Sequence, residues 1–273
     1  MTEPLLPLLV EPEQLNAVLD NERMLVIDLS EMPVYAQRHL PRAVNLPFQR
    51  LIRPEPPAMG MVPSEQSLSE TLSAIGLTED AHVVAYDGEG NGRASRLLWT
   101  LDLLGHRHFS LLNGGLPAWM AAGLPVEGGI VDPRPSDYQA RFRNPSAMAD
   151  REYVQSHLND PNVVVLDARS PGEYRGQDQR AMRGGHMPGA VNLEWVQTMD
   201  PARQRRFLPD EQLKTMLAQI GATPDKEVIT HCQTHHRSAH TYVMLKHLGF
   251  DKVRGYPGSW SEWGNRPDTP VET

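Results

Sequence analysis

Glu227-Val-Ile-Thr-His-Cys-Gln-Thr-His-His-Arg-Ser-Ala-His240 is the stretch on which the fold is decided. Val228, Ile229 and Thr230 form a β-branched run that reads as the end of a buried strand. Next comes Cys232, the only cysteine of the chain, and then a polar segment as far as Arg237 and Ser238. A helix-like segment, 239–248, follows and stops at Gly249. A strand, a tight loop and a helix start gather backbone N–H groups around one sulfur and aim the positive end of the helix dipole at it. Such a setting favours a thiolate and holds anions.

The same order of elements occurs twice. Val163-Val-Val-Leu-Asp167 matches Leu25-Val-Ile-Asp28, and His186-Met-Pro-Gly-Ala-Val-Asn-Leu193 matches His39-Leu-Pro-Arg-Ala-Val-Asn-Leu46. The amphipathic run 209–220, ended by Gly221, repeats 64–75, which has Ser64 as its cap and Gly76 as its stop. Val228-Ile-Thr-His231 matches Val83-Val-Ala-Tyr86, which sets Cys232 opposite Asp87. Arg93 precedes Gly105 by the same distance as Arg237 precedes Gly249, and Gly114 and Trp119 match Gly258 and Trp263. The chain is therefore read as a duplicated α/β protein. Each half is expected to be a mostly parallel sheet with helices on both faces, its ligand site at the carboxyl ends of the strands. The boundaries read from the sequence are 1–126, a Gly- and Pro-rich linker 127–145 in extended form, and 146–273; the Pro-rich stretch 47–63 reads as loop.

Composition narrows the function classes. The chain has 273 residues, 40% of them hydrophobic, which is enough for two cores. A net charge of −8 argues against a nucleic-acid-binding surface. A lone cysteine makes no internal disulfide and fits a reducing compartment. No apolar run reaches membrane-spanning length, and the first ten residues lack the basic flank of a signal peptide. A cytoplasmic monomer with no membrane and no nucleic-acid partner is expected.

Cys232-Gln-Thr-His-His-Arg-Ser238 between a strand and a helix resembles the active loop of the rhodanese sulfurtransferases. So do Asp167-Ala-Arg169, Glu173-Tyr-Arg175, Gly185-His-Met-Pro-Gly-Ala190 and Gly258-Ser-Trp260, together with the duplication itself. The whole resembles the tandem-domain bacterial type. The resemblance implies a persulfide on Cys232, loaded from thiosulfate and unloaded onto cyanide or a thiol, with no other cofactor. The alternatives are 3-mercaptopyruvate as donor, or a persulfide carrier that delivers sulfur to a partner protein. Gln233, Thr234, His235, His236, Arg237 and Ser238 would form the anion-binding loop, with Arg237 also closing onto the loop's own carbonyls. Its histidines, partly protonated, would supply positive charge. Arg169, Arg175 and Arg183 are candidates for the pocket mouth, and Trp195 and Trp260 for the cleft wall. Asp87 in place of a cysteine implies a catalytically inert first half.

Two rival classes follow from the same residues. Cysteine phosphatases place one more residue between Cys and Arg than the four found here, since phosphate needs a wider cradle. His231, Cys232, His235, His236 and His240 also form a soft-ligand cluster, but a loop that turns its backbone inward scatters its side chains. No metal is therefore expected.

Overall fold

The structure, a computed structural model, describes residues 3–273. The first half of the sequence forms strands β1 (Leu9–Val10), β2 (Met24–Asp28), β3 (Val44–Asn45), β4 (Arg53–Glu55), β5 (Ala58–Met61), β6 (His82–Tyr86) and β7 (Phe109–Leu112). Its helices are α1 (Pro12–Asn16), α2 (Met32–Gln37), α3 (Glu65–Ala74), α4 (Gly92–Leu103) and α5 (Gly115–Ala121). The second half forms β8 (Val163–Asp167), β9 (Val191–Asn192), β10 (Met199–Asp200), β11 (Arg206–Phe207), β12 (Glu227–His231) and β13 (Val253–Gly255). Its helices are α6 (Arg151–His157), α7 (Pro171–Tyr174), α8 (Asp210–Gln219), α9 (Arg237–His247) and α10 (Ser259–Trp263).

The chain divides into two compact units. The first takes in residues up to Leu51, Pro63–Asn144 and Asp200–Arg206; the second takes in Ile52–Val62, Pro145–Met199 and Phe207–Thr273. The expected boundaries at 126 and 146 differ from this division in two places, because each half of the sequence lends a short segment to the other unit. The expected linker belongs to the first unit as far as Asn144. It has no helix or strand, but Glu127 bridges to His39, the Ser136 N–H bonds the Ser73 carbonyl, and Tyr138 and Ala140 are buried.

Unit one carries a parallel sheet in the order β1-β7-β6-β2-β3. Its central strands are apolar runs buried along nearly all their length, as a sheet covered on both faces requires. Unit two has the parallel order β13-β12-β8-β9, with β12 paired along its whole length to β8. Val165 and Ile229 of this sheet pack with Val154, Trp260 and Trp263 in one core. α3 starts and stops as its sequence implies: the Ser64 hydroxyl accepts from the Ser67 N–H, and Gly76 takes a φ of +82° that suits glycine.

Two elements differ from the sequence reading. The stretch 47–63 is not all loop, since β4 and β5 pair as an antiparallel hairpin. Pro54 is tolerated because a two-stranded ribbon consists only of edges. In addition, α9 begins at Arg237, two residues before the expected start, which puts Ser238 in its first turn.

Candidate active site

Cys232 follows the last residue of β12, at the carboxyl end of the second unit's sheet, and is a free, fully buried thiol. β12 delivers it there because every residue from Val228 to His231 is buried and fixed between β8 and β13. The loop then turns sharply. His235 holds a φ of +57°, a left-handed conformation that disfavours side chains bearing Cβ. The Trp260 and Ser261 N–H groups at the start of α10 bond the carbonyls of Cys232 and Gln233 at 2.9 and 3.0 Å. Loop carbonyls are thereby drawn outward, leaving N–H groups to face the sulfur.

Burial alone pushes the Cys232 thiol up. The charge of Arg237, the Ser238 hydroxyl and the N–H groups of Ser238 and Thr234 act the other way and prevail, so the thiol lies below its ordinary range. The Nδ1 of His235 lies 2.7 Å from the Ser238 hydroxyl oxygen.

Arg237 does not close onto loop carbonyls. Its guanidinium donates to both carboxylate oxygens of Glu173, at 2.7 and 3.0 Å. Glu173 is nearly fully buried and also completes a capping box with Ser170 at the start of α7. Burial pushes its carboxyl up, but Arg237, the Ser170 N–H and Arg180 together bring it down to about 2.

Two of the histidines flanking the loop, His231 and His240, carry no charge. Burial pushes His231 down to about 4, against a partial pull from Asp167 whose oxygen lies 3.7 Å away. His240, packed against the rings of Phe207 and Trp195, is pushed by burial to about 3. Both are neutral at pH 7. His236 is half-buried, with Nδ1 3.2 Å from the Thr234 hydroxyl.

The candidate pocket arginines separate into different roles. Arg169 is 1% exposed, donates to Asp167 and to the Gly185 carbonyl, and lies over the Trp260 ring. Arg183 donates to the carbonyls of Trp263 and Thr269. Arg169 is thus buried in the core, as is Trp260, which is not a cleft wall, while Arg183 is half-buried and tied to backbone. Arg175 is exposed just after α7, and Trp195, half-buried, meets His240 edge-on. The arginine that does approach the loop is Arg180, which the sequence reading missed. Its carbonyl accepts from the Gln233 side chain, its Nε lies 3.3 Å from Glu173, and its side chain is 64% exposed. No motif flags it; only the fold brings it to Gln233.

The matching loop of unit one is the same cradle already filled. Asp87 sits where the cysteine would be, and its carboxylate accepts from the N–H groups of Glu89, Asn91, Arg93 and Ala94. Arg93 pairs with Glu31 much as Arg237 pairs with Glu173. Among the described residues, no group of three or more His, Cys, Asp or Glu is arranged to hold a metal ion. No described helix is long and apolar enough to cross a membrane.

Two α/β units, one with a lowered thiol at a strand end and the other with a carboxylate in its place, define a duplicated protein built around an anion-cradling loop. The rhodanese-like domain model matches residues 11–122 and 150–266, and the chain belongs to the rhodanese family. It is 44% identical to a thiosulfate sulfurtransferase of Pseudomonas aeruginosa over 267 residues, covering 98% of this chain and 97% of that protein. It is 30% identical to the sulfur carrier protein TtuD of Thermus thermophilus, covering 96% and 95%. A solved structure of an anaerobic ergothioneine biosynthesis enzyme from Chlorobium limicola superposes with a TM-score of 0.86 at 21% identity, over 97% of this chain and 70% of that one; this likeness concerns fold alone.

Proposed function

We propose that the chain is a thiosulfate sulfurtransferase working through a persulfide on Cys232. The observation that carries this reading is the lone thiol held below its ordinary range among inward-facing N–H groups, in a chain nearly half identical to a thiosulfate sulfurtransferase. In the first step the Cys232 thiolate attacks the outer sulfur of thiosulfate. A new S–S bond forms, the old one breaks, and sulfite leaves with the electron pair. In the second step cyanide or an acceptor thiolate attacks the outer persulfide sulfur and carries it off, which restores the thiolate. No net redox partner or resident cofactor is needed.

The N–H groups of Thr234 and Ser238 and the Ser238 hydroxyl stabilise the thiolate and then the persulfide anion. Arg237 supplies a fixed positive field, and Arg180 offers its exposed guanidinium to the incoming dianion. Gln233 and His236, half-buried side chains of the loop, contact donor and acceptor. Unit one stays inert, because the Asp87 carboxylate occupies the cradle and accepts no sulfur. A cytoplasmic monomer serving a small thiophilic acceptor or a sulfur-accepting protein fits the single free thiol. Delivery to a partner protein, in place of free turnover, is the second reading, supported by the likeness to a sulfur carrier.

Intact mass decides the core of the proposal. Treatment with thiosulfate should add one sulfur atom, cyanide should remove it, and Cys232→Ala should never gain it. A wild-type chain that gains no sulfur from thiosulfate overturns the reading.

A further inference from the structure

Within unit two, the hairpin β4–β5 lies against the catalytic loop and α10. The Met59 N–H donates to the Ser261 hydroxyl at 3.0 Å, and the next residue, Gly60, presents a bare Cα to two backbone carbonyls. A Cβ placed there would stand 2.7 Å from the Pro257 oxygen and closer still to the oxygen of Thr234. Gly60 is not among the residues with positive φ, so its backbone conformation does not call for glycine. The close approach to Thr234 is what does.

That carbonyl belongs to the peptide joining Thr234 to His235. The neighbouring carbonyls of Cys232 and Gln233 are held outward by N–H groups of α10; the Thr234 carbonyl is the one turned to the hairpin. In a trans peptide the N–H points opposite to its carbonyl, so fixing the Thr234 carbonyl fixes the His235 N–H and, through the shared Thr234 Cα, steadies the adjoining Thr234 N–H that acts on the sulfur. His235 follows in its left-handed conformation, so this peptide sits at the strained point of the loop, where an outside support matters most.

We infer that β5, through Gly60, is a positioning element of the Cys232 site, holding the Thr234–His235 peptide so that the loop's N–H groups converge on the sulfur. Gly60 touches no substrate; it acts through the loop. The inference rests on Cys232 as the reacting thiol and assigns to the first half of the sequence a part in the second unit's chemistry.

The test is the pH dependence of Cys232 alkylation by iodoacetamide in the full-length protein, together with single-turnover sulfur uptake from thiosulfate. Gly60→Ala forces the Thr234 carbonyl to shift. Its alkylation midpoint should rise by roughly one pH unit, with about tenfold less thiolate available below that midpoint and correspondingly slower sulfur uptake. Glu55→Ala, on the exposed part of the same hairpin, should leave the midpoint in place. Should Gly60→Ala fold poorly by circular dichroism, Ser261→Ala removes the acceptor of the Met59 N–H without adding bulk and should move the midpoint the same way by less. A folded Gly60→Ala with a wild-type alkylation profile, or an unmoved Ser261→Ala where that variant is the one measured, overturns the inference. Alkylation uses no sulfur donor, so failure of the persulfide reading and failure of this one are seen separately.

Discussion

His240 is a histidine that the fold keeps uncharged. It lies in α9 against Phe207 and Trp195, and burial pushes it down to about 3. The unfolded chain takes up that proton near 6.5. Between those values the unfolded state binds more protons, so the stability tied to His240, complete above about 6.5, is lost as the pH falls toward 3. His240→Leu should flatten the dependence of melting temperature on pH between 6.5 and 4; parallel curves for variant and wild type would remove His240 from the account. Arg180 supports a different expectation. With its exposed guanidinium at the loop, Arg180→Gln should raise KM for thiosulfate by roughly three- to tenfold at low salt, with the difference shrinking as salt screens the charge. Steady-state rates at two ionic strengths check this, and the alkylation midpoint of Cys232 should stay close to wild type.

At the scale of elements, β12 is the part that fixes the sulfur in place. Ile229 is fully buried between β8 and β13, so Ile229→Ala should cost about 2–5 kcal/mol, read from denaturant unfolding. A loss well under 1 kcal/mol would mean that the strand is supported elsewhere. This strand, the Cys232 loop and the order of elements around them were legible in the sequence, because an apolar run followed by a polar turn and a helix has only a few readings, and the repeat offered each of them twice. The pairing of Arg237 with Glu173 was not legible, since the two residues are 64 positions apart and no local pattern links them. Nor was the neutrality of His231 and His240. A row of histidines reads as charge, while burial, which decides the matter, appears only once the sheet and helix close over them. The hairpin β4–β5 was hidden by its prolines, which mark a loop by composition but are compatible with a two-stranded ribbon.

For the whole molecule, duplication left two cradles with different occupants. Asp87→Ala strips the acceptor from four backbone N–H groups in unit one and should lower its stability by about 1–3 kcal/mol. Sulfur loading on Cys232 should be unaffected, as intact mass would report; loss of loading in a folded protein would give the Asp87 loop a direct part in the chemistry.

The loan of residues 52–62 to unit two also sets a timetable for synthesis. Met59 leaves the ribosome early, yet its hydrogen-bond partner Ser261 is 202 positions further along. Until that partner emerges the hairpin has nothing to lie against, and the first-made unit likewise waits for residues 200–206. A nascent chain halted between the halves should therefore be open to proteolysis near Pro54 and Met59, and a gene cut at the sequence boundary would yield a catalytic fragment without its support for Thr234.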